Sequence, residues 1–296
     1  MHDVRTTYTL MDGRKVAAEI KSEIAAQVLK RRDAGKKIPH LAIILVGDDG
    51  ASQTYVDHKV KACKEVGFHY TLMRFADTIS EERLLKHIDQ VNTDPDVDGF
   101  IVQLPLPPHI SVEVITEHIR PEKDVDGFTN RNFGSIVSKN PLLLPATPNG
   151  IMELLKRYQI HTQSKHCVVV GASRLVGAPL SMMLAEQGRA TVTVCHKYTQ
   201  NLAHHTRQAD ILVVAVGKPG LITGDMVKEG AIVIDVGTTR VEGPQYKNGY
   251  TLKGDVDFAS VAPRCAYITP VPGGVGPMTI AALLLNTLRA TELSHG

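Results

Sequence analysis

Four polar side chains in the first half of the chain have the types and spacing that suit a ligand-binding crevice. Tyr55 and Lys59 are four residues apart in a helical stretch, so both side chains project from one face of the predicted helix. Gln103 ends an apolar strand, and Asp126 lies in a polar loop. Open α/β sheets bind ligands at the carboxyl ends of their strands, where we expect these side chains to lie. A lysine in such a crevice can transfer a proton if burial lowers its pKa from about 10.4 toward neutrality.

Each of these residues also has an ordinary structural explanation. Tyr55 and Lys59 can cover a helix face, and Gln103 can satisfy the backbone at a strand end. Asp126 can cap a turn, because Asp-Gly pairs are common turn chemistry. The spacing alone leaves both interpretations open.

A second candidate site lies in the stretch Cys167–Pro179, whose pattern indicates a strand, a tight turn and a helix. Free backbone N–H groups and the helix dipole at such a turn favour a pyrophosphate. The match to the dinucleotide pattern is imperfect, because Ser173 and Val176 occupy the second and third glycine positions and Gly177 comes one place late. Taken alone, the stretch fits a coenzyme site and an ordinary βα turn equally well.

The next strand, Thr191–Cys195, favours NADP over NAD. An acidic residue after this strand would bind the ribose 2′-hydroxyl of NAD, whereas a basic one accommodates a 2′-phosphate. The chain has His196 and Lys197 there, and Arg174 adds a positive charge in the turn itself. The alternative for Lys197 is a solvated surface lysine. The predicted coenzyme-binding residues are Gly171, Ala172, Ser173, Arg174, Val176, Gly177, His196, Lys197, Gly217 and Thr238.

The elements that must position these residues alternate along the whole chain. A helix is predicted over Gly13–Arg32, followed by a buried strand at Leu41–Val46 and a helix with Ser52 as its N-cap. In the second half, strands are predicted at Cys167, Thr191, Ile211 and Ala231. Such alternation predicts parallel sheets of the α/β class, and 296 residues exceed the usual span of one core. The Pro-rich segment Leu142–Pro148 is the predicted crossing between two domains.

Composition excludes several classes of function. The formal net charge is +2, and aromatic residues make up 5% with no Trp, so we expect no nucleic-acid partner. No apolar run approaches the roughly 20 residues that cross a bilayer, so we expect no membrane association and a cytoplasmic protein. The four cysteines have no C-x-x-C spacing and are expected to be reduced. No metal is predicted, since His204 and His205 lack the i, i+4 spacing of helical ligands.

Four longer motifs carry a resemblance to a known family. They are Tyr55–Lys59, Val102–Pro107, Pro121–Phe128 and the Gly-Pro loop Pro270–Thr279. In this order the motifs resemble the bifunctional methylenetetrahydrofolate dehydrogenase/methenyltetrahydrofolate cyclohydrolase family, and the likeness spans nearly the whole chain. One position departs from the pattern: many members have Arg after the first glycine of the coenzyme turn, where this chain has Ala172. Selection of NADP then rests on Lys197 and Arg174.

The resemblance implies a dimeric, two-domain α/β enzyme with folate between a catalytic domain and an NADP-binding domain. The implied boundaries are 1–147 with 276–296 for the folate-binding catalytic domain and 148–275 for a Rossmann-like domain, with the C-terminal helix returning to the first domain. The implied catalytic residues are Lys59, Tyr55, Gln103 and Asp126. The implied substrate-binding residues are Tyr55, Lys59, Val102, Gln103, Leu104, Asp126, Pro272, Gly273, Gly274, Val275, Gly276 and Pro277.

The implied reaction oxidises 5,10-methylenetetrahydrofolate with NADP and hydrolyses the methenyl product to 10-formyltetrahydrofolate. Only the hydrolysis clearly needs proton transfer, and Lys59 is the member of the set that can supply it. Gln103 would hold the neutral amine, Tyr55 would lie against the pterin or the aryl ring, and Asp126 would accept from pterin N–H groups. Two alternatives are a dehydrogenase for another substrate or without hydrolase activity, and a non-catalytic dinucleotide-binding sensor.

Overall fold

The computed structural model describes residues 8–138, 141–246 and 249–295, and contacts divide them into two compact units. One, the three-stranded unit, holds residues 18–146 and 280–295. The other, the six-stranded unit, holds residues 8–17 and 147–279. Within the described residues, no helix is long and apolar enough to cross a membrane.

Strands and helices alternate through both units. The strands are β1 Thr9–Leu10, β2 His40–Val46, β3 His69–Phe75, β4 Gly99–Val102, β5 His166–Val170, β6 Thr191–Cys195, β7 Ile211–Val214, β8 Ala231–Asp235, β9 Thr239–Glu242, β10 Tyr250–Lys253 and β11 Cys265–Ile268. The helices are α1 Gly13–Asp33, α2 Gly50–Val66, α3 Glu81–Thr93, α4 Val112–His118, α5 Asn130–Ser135, α6 Ala146–Arg157, α7 Gly177–Glu186, α8 Leu202–Thr206, α9 Phe258–Val261 and α10 Val275–His295. Short 3₁₀ turns occupy Gly224–Met226 and Ala262–Arg264.

The three-stranded unit is built on a parallel sheet of order β3-β2-β4. Its central strand β2 is buried from Leu41 to Val46, as expected for a strand covered on both faces. Leu84 and Ile88 of α3 pack with Phe100 of β4 in the core. Because β2 and β4 are packed in the core, their carboxyl ends fix the starting positions of the segments that follow them.

The six-stranded unit is a parallel sheet of order β1-β11-β8-β7-β5-β6. The chain runs from β5 to β6 on one side and then returns past β5 to form β7, β8 and β11 on the other. Ligands of open α/β sheets bind where the strand order reverses in this way. The segments after β5 and β7 meet that condition. A separate antiparallel ribbon, β9 with β10, follows β8.

The predicted return of the C-terminal helix to the first domain is confirmed. Residues 280–295 of α10 belong to the three-stranded unit. The buried Asn286 donates from Nδ2 to the carbonyl oxygens of Val125 at 2.8 Å and Leu144 at 2.7 Å. Arg289 donates to the carbonyl oxygens of Pro141 and Leu142, both at 2.8 Å.

The start of the chain differs from the boundary expected from sequence. That boundary assigned all of 1–147 to the first domain, whereas residues 8–17 group with 147–279. The cause is β1, which pairs in parallel with β11, and the Met11 N–H bond to the Ile268 carbonyl at 2.8 Å. A strand of two residues is too short to show periodicity. The division at 146 and 147 falls within the Pro-rich segment Leu142–Pro148.

The predicted N-cap of α2 was wrong. The helix begins at Gly50, and Asp49 is the N-cap, because its Oδ2 accepts the Ser52 N–H at 2.7 Å and the Ser52 hydroxyl at 2.8 Å. Asp and Ser are comparable as caps, so a run containing both leaves the first turn ambiguous in sequence. Gly67, in the left-handed region with φ 79°, ends the helix.

Candidate active site

Lys59 is held on the buried face of α2 and points at the end of β4. Its residue exposure is 8%, and its Nζ donates to Gln103 Oε1 at 3.0 Å. Burial lowers the pKa of Lys59, and the negative charge of Asp126 opposes this shift in part. The amine is therefore easier to deprotonate than a free lysine, which is the condition for proton transfer near neutral pH.

Gln103 is fixed by the backbone on either side of it. Its N–H continues the ladder of the sheet by donating to the Ile44 carbonyl at 2.8 Å. Its Nε2 donates to the Leu104 carbonyl at 2.7 Å, so the amide oxygen is left to face Lys59. Val102 before it is buried, and Leu104 after it is half-buried. The strand end thus orients one acceptor toward the lysine.

Asp126 lies in the same unit as Lys59, and each charge influences the pKa of the other group. Burial raises the pKa of Asp126, the Lys59 charge lowers it and the Asp124 carboxylate adds to the rise. Asp126 also lines a small cavity with Val102, Leu104 and Phe128. A half-buried carboxylate beside an amine and a cavity can accept hydrogen bonds from N–H groups of a ligand.

Asp124 builds the loop that carries Asp126, a role that the sequence analysis missed. Asp124 is 1% exposed and accepts the Gly127 N–H at 3.0 Å, the Thr129 N–H at 2.8 Å and Asn132 Nδ2 at 2.9 Å. Gly127 has φ +73°, and a Cβ there would lie 2.6 Å from the Pro145 nitrogen. The Asp-x-x-Gly spacing was the available signal, because an Asp side chain accepts from N–H groups a few residues ahead.

Tyr55 lies one helical turn before Lys59 and is 41% exposed. The spacing on α2 places both on one face, as the sequence analysis predicted. Tyr55, Lys59, Gln103 and Asp126 all lie in the three-stranded unit, and Lys59 contacts Gln103 directly. An exposed phenol ring one helical turn from a buried amine offers a flat surface for an aromatic ligand.

The Gly-Pro loop belongs to the six-stranded unit. Its residues Pro272, Gly273 and Gly274 precede α10, and Val275, Gly276 and Pro277 form the first turn of that helix. Arg14 N–H donates to the Gly273 carbonyl at 3.1 Å, and a Cβ on Gly13 would lie 1.8 Å from the Gly274 oxygen. A Cβ on Gly274 itself would lie 2.6 Å from the Pro270 oxygen, so close backbone approach accounts for this glycine of the loop.

The turn after β5 is closed by its own side chain and backbone. Ser173 accepts the Val176 N–H at its hydroxyl, at 3.2 Å, and the Ala178 N–H at its carbonyl, at 3.0 Å. Gly171 has φ +120°, and a Cβ on Gly177 would lie 1.8 Å from the Gly171 oxygen. Ser173 thus closes the turn where the usual pattern has glycine, and Gly177 provides the close approach one place late.

The remaining predicted coenzyme residues follow neighbouring strands. His196 and Lys197 follow β6, Gly217 follows β7 and Thr238 follows β8, all at the carboxyl edge of one sheet. Lys197 is exposed, with its Nζ 4.9 Å from the ring centroid of Tyr198. Helix α7 has no side-chain cap at its N-terminus. A glycine cradle, an uncapped helix start and a cation after the neighbouring strand suit a phosphorylated dinucleotide.

Comparison with known proteins identifies the family. Residues 11–126 match the model of the tetrahydrofolate dehydrogenase/cyclohydrolase catalytic domain, and residues 145–295 match that family's NAD(P)-binding domain. The chain belongs to the tetrahydrofolate dehydrogenase/cyclohydrolase family. The bifunctional protein FolD of Amoebophilus asiaticus is 56% identical over 284 residues, which cover 95% of each chain. That of Cytophaga hutchinsonii is 54% identical over 287 residues, covering 96% of this chain and 99% of the relative.

A solved structure extends the likeness to the backbone. The Trypanosoma brucei N5,N10-methylenetetrahydrofolate dehydrogenase-cyclohydrolase, complexed with NADP cofactor and an inhibitor, superposes with a TM-score of 0.93. It is 40% identical, and the match covers 97% of this chain and 98% of that one. The match of the tetrahydrofolate dehydrogenase/cyclohydrolase catalytic domain includes Tyr55, Lys59, Gln103 and Asp126. The NAD(P)-binding match includes the turn after β5 and Lys197.

Proposed function

We propose that this chain is a bifunctional folate enzyme that oxidises 5,10-methylenetetrahydrofolate and hydrolyses 5,10-methenyltetrahydrofolate to 10-formyltetrahydrofolate. The observation that carries the proposal is the buried Lys59 amine bonded to Gln103, in a chain whose family has both activities in its name. The dehydrogenase step needs two bound reactants held in register. The hydrolysis needs, in addition, a group that gives and takes a proton.

Lys59 is the proposed acid and base of the hydrolysis. Burial lowers the pKa of Lys59, so the neutral amine is easier to reach than in a free lysine. The neutral amine takes a proton from the water that attacks the methenyl carbon, and the ammonium returns it to the ring nitrogen as the C–N bond breaks. The remaining hydroxyl proton is released to solvent as the formyl C=O forms, so the positive charge of the methenyl substrate leaves as that proton. Gln103 Oε1 accepts an N–H of Lys59 in either protonation state, which holds Nζ in place throughout.

Asp126 and Tyr55 are proposed to bind the folate. The Asp126 carboxylate would accept pterin N–H groups, and the positive charge that develops on Lys59 would be partly balanced by it. The exposed Tyr55 ring would lie against the pterin or the aryl ring. Val102, Leu104 and the loop 272–277 would supply apolar and backbone contacts.

The proposed coenzyme is NADP, which accepts the hydride from the methylene carbon. The turn Gly171–Gly177 would hold its pyrophosphate, and Lys197 would contact the 2′-phosphate, with Arg174 close by in sequence. Gly217 and Thr238 would line the nicotinamide end. Ala172 removes a basic side chain that many family members have, so the preference for NADP rests on these two cations.

A homodimer is the proposed assembly, and β3 offers a surface for it. β3 pairs with β2 along all seven residues on one side and is the edge of its sheet. An edge strand of this length presents unpaired N–H and C=O groups that another chain can complete. Analytical ultracentrifugation tests this, with Leu72→Pro as the variant that removes an N–H from the strand. A wild-type monomer would contradict the dimer.

A cytoplasmic location is also proposed, because all four cysteines are buried and unpaired with one another. Free thiols are typical of reducing compartments. Fractionation of cells that express the tagged chain tests the location.

One absorbance experiment tests the proposed function. The enzyme is mixed with 5,10-methylenetetrahydrofolate and either NADP or NAD, and reduced coenzyme and methenyltetrahydrofolate are followed together. Formation of reduced NADP with transient methenyltetrahydrofolate is the expected result. Persistent methenyltetrahydrofolate would indicate a monofunctional dehydrogenase, and no turnover with either coenzyme would favour a non-catalytic dinucleotide sensor.

A further inference from the structure

Two carboxylates are buried together at the carboxyl end of β8. Asp235 is 4% exposed and Asp255 is fully buried. Asp235 Oδ1 accepts the N–H groups of Gly237 at 3.0 Å and Asp255 at 2.9 Å, and Oδ2 accepts that of Val256 at 3.0 Å. Buried carboxylates are costly unless they are well bonded. Their place in this unit therefore calls for an explanation beyond packing.

Asp255 fixes the segment that follows β7. Its Oδ2 accepts the N–H groups of Val216 at 2.6 Å and Gly217 at 3.0 Å. N–H bonds to a carboxylate are roughly twice as strong as neutral ones. Two adjacent peptide planes are thus turned toward one buried charge. Gly217 was a predicted coenzyme contact, whereas no sequence pattern indicated a role for Asp255.

The same bonds set the contact between this segment and the dinucleotide turn. In a trans peptide the C=O points away from the N–H, so the Ala215 carbonyl faces away from Asp255. It lies against Gly171, where a Cβ would be 2.2 Å from the Ala215 oxygen. Asp255 on one side and Gly171 on the other therefore enclose the backbone of 215–217 at the point where the strand order reverses.

Two glycines allow the carboxylates to approach this closely. A Cβ on Gly237 would lie 2.4 Å from Asp255 Oδ1, and a Cβ on Gly254 would lie 1.8 Å from Asp235 Oδ2. The Asp255 carboxylate thus fills the space that a side chain at Gly237 would need, and the Asp235 carboxylate fills the space that a side chain at Gly254 would need. Asp255 Oδ1 is buried and has no hydrogen-bond partner among the described residues. A buried carboxylate oxygen without a partner costs stability, so Asp255 is not an optimal group for packing alone.

We propose that Asp255 is a positioning residue for the coenzyme, holding the backbone of 215–217 in the conformation that binds the nicotinamide nucleotide. The inference rests on the proposed function, because it assumes that this segment contacts NADP. Asp255 does not touch the coenzyme itself, since it is fully buried behind the segment. Its substitution should weaken coenzyme binding while the folate residues of the three-stranded unit keep their arrangement.

The test compares Asp255→Ala and Asp255→Asn with Asp257→Asn as the matched control. Asp257 is exposed and two residues further along the same segment. Asn keeps an oxygen for the Val216 and Gly217 N–H groups but loses the charge, whereas Ala loses both bonds. The measurements are the Kd of NADPH from its fluorescence, the KM for NADP, and the cyclohydrolase rate without coenzyme, which reports the amount of folded enzyme.

We expect Asp255→Ala to raise the Kd and the KM by about tenfold or more while the cyclohydrolase rate is kept. Loss of bonds of this strength lowers the population of the binding conformation by at least that factor, and the apparent Kd rises by the same factor. Asp255→Asn should raise them less, by about threefold, because neutral bonds are about half as strong. The Asp257→Asn control should match the wild type. If the Ala variant does not fold, the Asn variant decides alone.

Unchanged coenzyme affinity in the folded variants, with only a lower Tm, would overturn the inference and leave Asp255 as a structural residue. That outcome is separate from failure of the proposed function. In the latter case, the wild-type enzyme itself would show neither coenzyme reduction nor hydrolysis.

Discussion

At the scale of single residues, Lys59 combines two features that are rarely found together in a lysine. Its amine is buried, and it keeps one firm partner, Gln103, at 3.0 Å. Burial favours the neutral amine, and the partner prevents the side chain from turning out to solvent. This arrangement suits a group that must alternate between two protonation states without moving.

Replacing Lys59 should therefore separate the two activities. Lys59→Met keeps the apolar length but removes the amine, and Lys59→Arg keeps the charge but cannot release a proton near neutral pH. We expect both variants to lose cyclohydrolase activity by about 10²-fold or more, the lower end of general acid–base catalysis. Dehydrogenase activity should fall less, so methenyltetrahydrofolate should accumulate in the coupled assay.

The matched control is Lys61→Met on the same helix, whose side chain is 75% exposed. It should leave both activities near the wild-type values. Proportional losses of the two activities in the Lys59 variants, or an Arg variant that still hydrolyses its substrate, would leave Lys59 as a binding residue only.

Lys197 should determine the choice of coenzyme. One charge-assisted contact to a 2′-phosphate contributes about 1.5–3 kcal/mol, or roughly 10- to 150-fold in affinity. Lys197→Ala should weaken NADP by that factor and leave NAD nearly unchanged. Lys165→Ala, which removes an exposed lysine just before β5 at the opposite end of the sheet, is the control. Steady-state KM values for both coenzymes measure the effect, and equal losses would show that Lys197 does not contact the phosphate.

The candidate residues could be found in sequence only where the partner lies close along the chain or belongs to a motif. Tyr55 and Lys59 share a helix face, so spacing alone places them together. Asp255 was missed because the N–H groups that it accepts lie 38 and 39 residues away. No local pattern connects a buried carboxylate with a strand end at that distance.

At the scale of elements, the turn after β5 depends on the absence of a side chain at Gly177. A Cβ there would lie 1.8 Å from the Gly171 oxygen, far inside contact distance. Because the Gly171 oxygen belongs to the backbone, it cannot move away without opening the turn. Gly177→Ala should raise the KM for NADP strongly and lower the Tm, while residues of the three-stranded unit keep cyclohydrolase activity.

Gly50→Ala is the control for this substitution. Gly50 is also the first residue of a helix, α2, and a Cβ there meets nothing within 4 Å. It should leave coenzyme affinity unchanged and stability equal or slightly higher, since Ala favours the helix. Wild-type coenzyme binding in Gly177→Ala would show that the turn does not hold the coenzyme.

Helix α10 is attached to the three-stranded unit by Asn286. Asn286→Ala would leave the carbonyl oxygens of Val125 and Leu144 without this donor, at a cost of about 1–3 kcal/mol for the buried Val125 group and less for the half-buried Leu144 group. Urea denaturation should show the loss. Glu292→Ala, an exposed change on the same helix, should cost little. A small effect in the Asn286 variant would mean that apolar packing alone holds the helix.

Elements were predictable where they are long or strongly patterned. β5, β7 and β8 are apolar runs rich in β-branched residues, which is typical of strands buried on both faces. β1 has two residues, and β11 is Cys-Ala-Tyr-Ile with one β-branched residue, so neither was predicted. Their pairing with each other is a tertiary effect that short-range preference does not contain.

Across the whole molecule, the three divisions between the units differ in how clearly the sequence marks them. They lie between residues 17 and 18, 146 and 147, and 279 and 280. The first is inside α1, the second at the start of α6 and the third inside α10. The second falls within the Pro-rich segment Leu142–Pro148, and the third lies at the end of the Gly-Pro loop, four residues after the boundary expected between 275 and 276. The first has no counterpart in the expected boundaries. Helical periodicity continues unbroken across the other two.

The buried amine of Lys59 should also affect the stability of the whole chain. Burial lowers its pKa in the folded state, whereas the unfolded chain keeps a value of about 10.4. Between those two values the unfolded state binds more protons, so the free energy of unfolding rises with pH in that window. Below the folded-state pKa of Lys59, the amine is charged in both states, and the whole cost of burying its charge lowers the free energy of unfolding.

Lys59→Met removes this titration, so the difference in Tm between variant and wild type should change with pH. Relative to the wild type, the Tm of the variant should be highest near neutral pH. The Tm difference should then shift in favour of the wild type as pH rises toward 10. Loss of the bond to Gln103 contributes an offset that does not depend on the lysine proton. Thermal unfolding of both proteins across this range, with Lys61→Met for the background, measures the effect. A Tm difference that stays constant with pH, or shifts in favour of the variant as pH rises, would show that the pKa of Lys59 is not lowered in the folded protein. That result would weaken the proposed role of Lys59 as a base.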